Sequence, residues 1–266
     1  MKILVILRQV PDSTTQIKVG ASGADIDRTG VKLVLNPFSE FAIELAVQLR
    51  EKRQDVQQIT ALIAGPANAL ERLQTALAFG ADDGIHVQDD AFEAADELQQ
   101  ASALAALVRP MGFDLVLVGK QEIDLDSGQL GPALAEALDL PHVGAVTKLD
   151  IAADGKSLTA NRRIEGADEV VTSSLPALLT IEKGLVEARY PSLPNLMKAK
   201  KKPVKVVKSA DIPNFAEAIG GAGGSRMHKV ELPPPRPPGK VIDGGGDPAK
   251  AVSELVRLLR EEAKVL

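Results

Sequence analysis

From its first residues to about residue 146, the chain alternates short apolar runs with stretches of helical periodicity, and this restricts it to a parallel sheet covered by helices on both faces. Strands are expected at residues 2–7, 58–63, 84–87, 114–118 and 143–146. Between the first two, Phe38, Phe41, Ala42, Leu45, Ala46 and Leu49 recur at spacings of three and four. They form the stripe of an amphipathic helix entered through Asn36-Pro37. Further helices are expected over 67–79, stopped by Gly80, and over 92–108 and 129–138. The implied fold class is α/β, a doubly wound, mostly parallel, Rossmann-like sheet.

After Thr147 the pattern turns strand-rich, with strands expected at 148–151, 157–163, 169–172 and 177–181 and turns at Ala153-Asp154-Gly155 and Glu165-Gly166-Ala167. These read as antiparallel additions to the sheet edge or a small flanking sheet. A basic run, Lys198-Ala199-Lys200-Lys201-Lys202, leads into a tail with Gly220-Gly221-Ala222-Gly223-Gly224 and Pro233-Pro234-Pro235-Arg236-Pro237-Pro238, which cannot bury a core of its own. A last helix over 248–264 carries Ala251, Leu255, Leu258 and Leu259 on one side. Residues 1–205 are therefore expected as the main domain and 206–266 as an extended arm with a terminal helix lying on a partner.

Composition removes several functions. Cysteine is absent, so disulfides, thiolate nucleophiles and iron–sulfur clusters are excluded and any redox role needs a borrowed cofactor. No apolar run approaches the roughly 20 residues that cross a bilayer, and residues 3–7 are too short for a secretory segment, so a cytoplasmic protein without membrane insertion is expected. A net charge of −5, one Tyr and no Trp argue against nucleic acid. His86, His142 and His228 are too far apart for a local metal motif, and no Ser–His–Asp arrangement or nucleophile elbow is evident.

Doubly wound sheets bind ligands beyond the carboxyl ends of their strands, which directs attention to the loops after Leu7, Ile63 and Val118. The first offers Arg8 beside the expected crevice, and the second, Ala64-Gly65-Pro66, a close backbone approach. In the third, from Gly119 to Pro132, small residues at Ser127 and Gly128 leave main-chain N–H groups open to a phosphate, and the following helix start adds partial positive charge. A capped loop without ligand is the plainer alternative.

Several segments in order resemble the electron transfer flavoprotein β-subunit family: Arg8-Gln9-Val10-Pro11-Asp12, Asn36-Pro37-Phe38, Ala76-Leu77-Ala78-Phe79-Gly80-Ala81-Asp82 and Gly119-Lys120-Gln121. The most specific is Arg189-Tyr190-Pro191-Ser192-Leu193-Pro194-Asn195-Leu196-Met197-Lys198-Ala199-Lys200-Lys201-Lys202. The resemblance implies a heterodimer with an α subunit that carries most of the FAD site, and an adenine nucleotide held by β itself. By position, Ile6, Asn36, Ala64 and the stretch containing Gly119, Lys120, Gln121, Ile123, Asp124, Asp126, Ser127, Gly128, Gln129 and Leu130 correspond to nucleotide contacts, and Phe38 to an aromatic near the flavin. Ser13 stands where AMP-holding relatives often have Tyr.

The loop Asp124-Leu125-Asp126-Ser127-Gly128-Gln129-Leu130-Gly131-Pro132 is closer to that of the bifurcating branch, whose β subunit takes a second FAD and meets NADH, although Leu125 replaces that branch's Gly. AMP, or a second FAD with NAD, both stay open. The loop from Tyr190 to Met197, with Leu193, Pro194 and Met197, resembles the segment that grips partner dehydrogenases. Acyl-CoA or other flavin dehydrogenases are implied as donors, and a quinone oxidoreductase or ferredoxin-type protein as acceptor. A universal-stress-type nucleotide sensor and a structural subunit without nucleotide are the competing readings.

Overall fold

The run Ile3-Leu4-Val5-Ile6-Leu7 is buried throughout and forms the body of β1 (Lys2–Leu7) at the middle of a nine-stranded sheet. The computed structural model describes residues 1–220, 224–225, 227–236 and 238–266; Gly221, Ala222 and Gly223 of the glycine run, Arg226, and Pro237 of the proline run lie outside the described residues. After β1 come β2 (Gln9–Pro11), β3 (Leu33–Leu35), α1 (Pro37–Lys52), β4 (Gln58–Gly65), α2 (Leu70–Phe79) and β5 (Asp83–Gln88). Next are α3 (Ala91–Ala94), α4 (Glu97–Val108), β6 (Leu115–Gly119), α5 (Leu130–Leu138) and β7 (His142–Ile151). The chain continues through β8 (Ser157–Ile164), β9 (Ala167–Ser174), β10 (Ala177–Ile181), α6 (Leu193–Ala199), β11 (Val204–Lys208), α7 (Phe215–Gly220) and α8 (Pro248–Glu261).

The strand order is β11-β5-β4-β1-β6-β10-β7-β8-β9. Every pair from β11 to β7 is parallel, and β8 and β9 add antiparallel to β7. Alternate side chains of a strand face opposite ways, so Ile3, Val5 and Leu7 join Ile43, Ala46, Leu73 and Leu77 of α1 and α2. Leu4 and Ile6 join Leu104, Val108 and Leu134 of α4 and α5 on the other face. Each fully buried Leu or Ile contributes about 1.5–3 kcal/mol.

Three expectations are corrected. Residues 177–181 are not an antiparallel addition at the edge: β10 lies between β6 and β7 and is parallel to both. All five of its residues are buried, because a strand covered on both faces reads as a continuous apolar run rather than an alternating one. The single helix expected over 92–108 is broken by Asp96, whose carboxylate accepts from Gln99 N (2.9 Å) while Gln99 Oε1 accepts from Asp96 N (3.0 Å). That reciprocal cap starts α4 afresh. The two strands expected at 143–146 and 148–151 are one, β7, with a register irregularity between Val146 and Lys148.

The parallel edge strand β11 had no forecast, since two of its five residues are lysines and only Val207 is buried. The expected division after residue 205 falls inside it. The chain divides into two compact units, Met1–Lys229 and Val230–Leu266. In the second, Asp247 caps α8 by accepting from Ala249 N (3.0 Å), and Arg257 pairs with Glu254 and Glu261 at 2.7 Å each. No helix among the described residues is long and apolar enough to cross a membrane.

Candidate functional site

From β1 the chain builds β4 and β5 to one side, then crosses to place β6 on the other. The loops leaving β1 and β6 therefore diverge and open a crevice beyond the strand ends, where such folds take ligands. The three loops expected from the sequence meet there. Arg8, Gln9 and Pro11 line the crevice from the first, Ala64, Gly65 and Pro66 from the second, and Asp124, Leu125, Ser127 and Gln129 from the third. Phe92, Glu97 and Gln100 close it from α3 and α4, around a cavity of about 310 Å³.

Of the expected nucleotide residues, Ala64, Asp124, Ser127 and Gln129 line this cavity. The rest lie outside its lining. Ile6 and Leu130 are core residues. Asn36 is buried, its Nδ2 donates to Gln121 O (2.8 Å), and its Oδ1 has no partner in the structure, so it braces the third loop from beneath. Gly119 leaves room for α1: a Cβ there would stand 2.7 Å from Phe38 Cβ and 2.8 Å from the Phe38 carbonyl carbon. Phe38 itself packs edge-on against Phe41 with centroids 6.1 Å apart. Lys120 Nζ pairs with Glu182 (2.7 Å), and Gln121 Nε2 donates to Asp126. Asp126 and Gly128 both turn the loop through left-handed conformations, with φ of 59° and 61°. Ile123 is exposed beside them.

Sequence reasoning missed the floor of the crevice. Glu97 and Gln100 line it and are buried, and Glu122, also buried, lies behind the lining beside Arg8. Arg8 Nη1 donates to Gln100 Oε1, and Arg8 Nε lies 3.4 Å from Glu122 Oε1. Glu97 Oε2 accepts from the main-chain N–H of Gln129 (3.3 Å), which precedes α5. Burial pushes the Glu122 carboxyl up to about 7; Arg8 opposes this and the neighbouring Glu97 adds to it. The available signal was a Glu inside the third loop and another opening a helix, but nothing local shows that they meet. Four acids, Glu93, Asp96, Glu97 and Asp124, line the crevice against two arginines, Arg8 and Arg28. A phosphate here would rely on main-chain N–H groups and Arg8, with the exposed Asp124 carboxylate suited to ribose hydroxyls. Among the described residues no group of side chains is arranged to hold a metal ion.

The expected recognition segment is not a loop throughout, because Ser192 caps α6 by accepting from Asn195 N (3.4 Å). Tyr190, Leu193 and Met197 are 98%, 73% and 60% exposed, and Pro194 is exposed with them. Behind them Arg189 bonds Glu44 through Nε (2.7 Å) and Nη2 (2.8 Å), and Glu51 through Nη1 (2.8 Å). These carboxylates hold the guanidinium proton more tightly than usual, and Arg189 in turn lowers Glu51. A groove of about 510 Å³ beside Tyr190 is lined by Phe41, Phe79 and Val186 and by Glu40, whose carboxyl burial pushes up.

A doubly wound, mostly parallel sheet with a crevice at its switch point places the chain in the Rossmann-like class of α/β proteins. Within that class, residues 24–212 match the family model described as the electron transfer flavoprotein domain. The chain is 38% identical over 270 residues to the electron transfer flavoprotein subunit beta of Bacillus subtilis, covering all of both chains. It is 37% identical over 260 residues to the human subunit beta, covering 97% of this chain and 99% of the other. To the subunit beta of Syntrophomonas wolfei it is 35% identical, over all of this chain and 98% of that one. The chain belongs to the electron transfer flavoprotein β-subunit family.

Proposed function

We propose that this chain is the nucleotide-holding half of a heterodimeric electron transfer flavoprotein. It pairs with an α subunit, completes that subunit's FAD site and keeps an adenine nucleotide in the crevice between β1 and β6. FAD, when bound, supplies the chemistry by accepting electrons from one protein and releasing them to another. The chain's own residues hold the nucleotide, present a docking surface and provide a platform for the partner. Donors are acyl-CoA or other flavin dehydrogenases, gripped by the segment from Tyr190 to Met197 with Leu193 foremost, and the acceptor is a quinone oxidoreductase or a ferredoxin-type protein. Residues 206–266 serve as an arm on the α subunit.

The observation that carries the nucleotide reading is the convergence of Arg8, Ala64, Ser127 and Gln129 on one cavity. Its volume of about 310 Å³ lies at the small end of the roughly 300–1,000 Å³ typical of ligand sites, which favours a mononucleotide such as AMP. A second FAD with NAD is favoured instead by the loop Asp124 to Pro132, whose Gln129 and Gly131-Pro132 resemble the bifurcating branch. Co-expression with the α subunit, denaturation and quantitation of released nucleotides separate the readings. One FAD and one AMP per complex supports the first, and two FAD per complex the second. A colourless chain that stays alone and carries ATP would sink both in favour of a sensor.

A further inference from the structure

At the floor of the crevice two buried carboxyls and one guanidinium meet. Glu97 is 7% exposed and Glu122 3% exposed. Glu97 is the neighbouring acid that adds to the upward push on Glu122, and two carboxyls can share a hydrogen bond only when one carries a proton. Glu97 Oε1 and Glu122 Oε2 have no hydrogen-bond partner in the structure. Meanwhile Glu97 Oε2 accepts from the Gln129 N–H, where main-chain donors and the start of α5 offer the crevice's natural seat for an anion. The chain's own carboxylate thus occupies the main-chain donor that precedes α5.

We propose that Glu97 and Glu122 act as a proton-linked gate on the phosphate seat: a nucleotide phosphate displaces Glu97 from the Gln129 amide and is held while the pair carries one proton, drawn from solvent wherever the free pair has lost it. This deepens the nucleotide reading given above and rests on it. The charge arithmetic requires the proton. With both carboxyls ionised, Arg8 alone faces two negative charges, and a phosphate brought beside them adds more. With one proton on the pair, Arg8 balances the remaining charge. The other charged groups lining the crevice are Asp96, Glu93 with its partner Arg28 (3.3 Å), and Asp124. Asp96 is a capping residue held below the usual carboxylate range by main-chain donors, so it stays ionised and does not compete for the proton. Burial places the Glu122 carboxyl at about 7, which sets the pH at which the gate begins to close.

The sign follows directly. Below about 7 the pair already holds its proton and binding needs none. Above 7 each bound phosphate must draw one from a scarcer supply, so affinity falls with rising pH, approaching tenfold per unit. The test is equilibrium dialysis of AMP, and in parallel of FAD, on the full chain complexed with its α subunit after exchange of endogenous nucleotide, from pH 7.0 to 8.5. That range lies above the phosphate's own ionisation near 6, so the ligand's charge is constant. Both ligands are expected to bind about 15-fold more weakly at pH 8.5 than at 7.0, while adenosine, lacking phosphate, shows no such loss. Glu122→Gln is expected to bind tighter at pH 8.5 and to vary less than about twofold across the range. A flat profile for AMP and FAD in the parent overturns the gate and leaves the nucleotide site standing, as does an equal loss for adenosine. Absence of AMP and FAD binding at every pH overturns both.

Discussion

Replacing Arg189 by Ala removes the guanidinium that ties residues 185–199 to α1 and leaves the Glu44 carboxylate buried, with the Gln48 amide as its remaining side-chain donor (2.8 Å). Breaking one side of a fully buried pair costs about 3–5 kcal/mol, mostly through the stranded charge. The Arg189 side chain is 39% exposed, so water can reach the vacated space and about 2 kcal/mol is the reasonable figure. That penalty falls on the local opening of residues 185–199 rather than on the sheet, because Arg189 bonds only to α1 side chains from the far end of this segment. Amide hydrogen exchange by mass spectrometry should therefore show peptides from 185–199 exchanging about 30-fold faster, at 1.36 kcal/mol per decade. Peptides from β1 should be unchanged. The double variant Glu44→Gln with Arg189→Ala should recover most of the protection, since the stranded charge is then gone. Acceleration under threefold in the single variant, or equal acceleration in β1, would show that the clamp does not hold this segment.

Leu193→Ala should leave thermal stability within about 0.5 kcal/mol, as expected of a side chain 73% exposed, while raising the KM for a donor dehydrogenase at least tenfold. Unchanged KM in electron-transfer assays would remove its anchor role. Gly119→Ala should lower the melting temperature by about 3 °C or more, because the added Cβ meets Phe38 and the Ser39 nitrogen (3.0 Å), and overpacking against backbone costs about 1–3 kcal/mol. The same complex should retain less nucleotide, and a normal melting curve would refute the close-approach argument. His86 is buried, its Nε2 donates to the carbonyls of Gly65 (3.3 Å) and Pro66 (3.1 Å), and desolvation lowers its pKa from 6.5. Its folded value lies below the unfolded one, so the stability it contributes is complete above about 6.5 and is lost as pH falls below that. An NMR titration midpoint above 6.5 would contradict this.

What could be read from residues alone was whatever local pattern decides. β1, β4, β5 and β6 appear within a few residues of their forecast because buried parallel strands leave apolar runs between turn signals. The crevice was legible for a topological reason: loops at strand ends need no side-chain detail to be located. β10 defeated the reading because its place depends on where the chain returns after β8 and β9, and the run Ala177-Leu178-Leu179-Thr180-Ile181 is equally at home at the centre or in a flanking sheet. Glu97 and Glu122 were illegible for the same kind of reason. Their approach depends on how α4 settles against the β6 loop, a tertiary fact that neither segment's own pattern contains.

The two candidate surfaces are joined through one element. At its start α1 braces the crevice: Asn36 Nδ2 donates to Gln121 O (2.8 Å) and Asn36 N to Arg8 O (2.9 Å), while Arg8 N donates to Ser39 Oγ (3.1 Å). Further along the same helix, Glu44 and Glu51 hold Arg189 and with it the base of the segment that exposes Leu193. An α-helix rises about 1.5 Å per residue, so Asn36 and Glu44 are roughly 12 Å apart on a single rigid rod. Both surfaces are therefore referenced to α1 and not to one another's loops. Arg189 and the third crevice loop are thereby held in one register by α1, whereas Leu193, 73% exposed, lies outside that clamp.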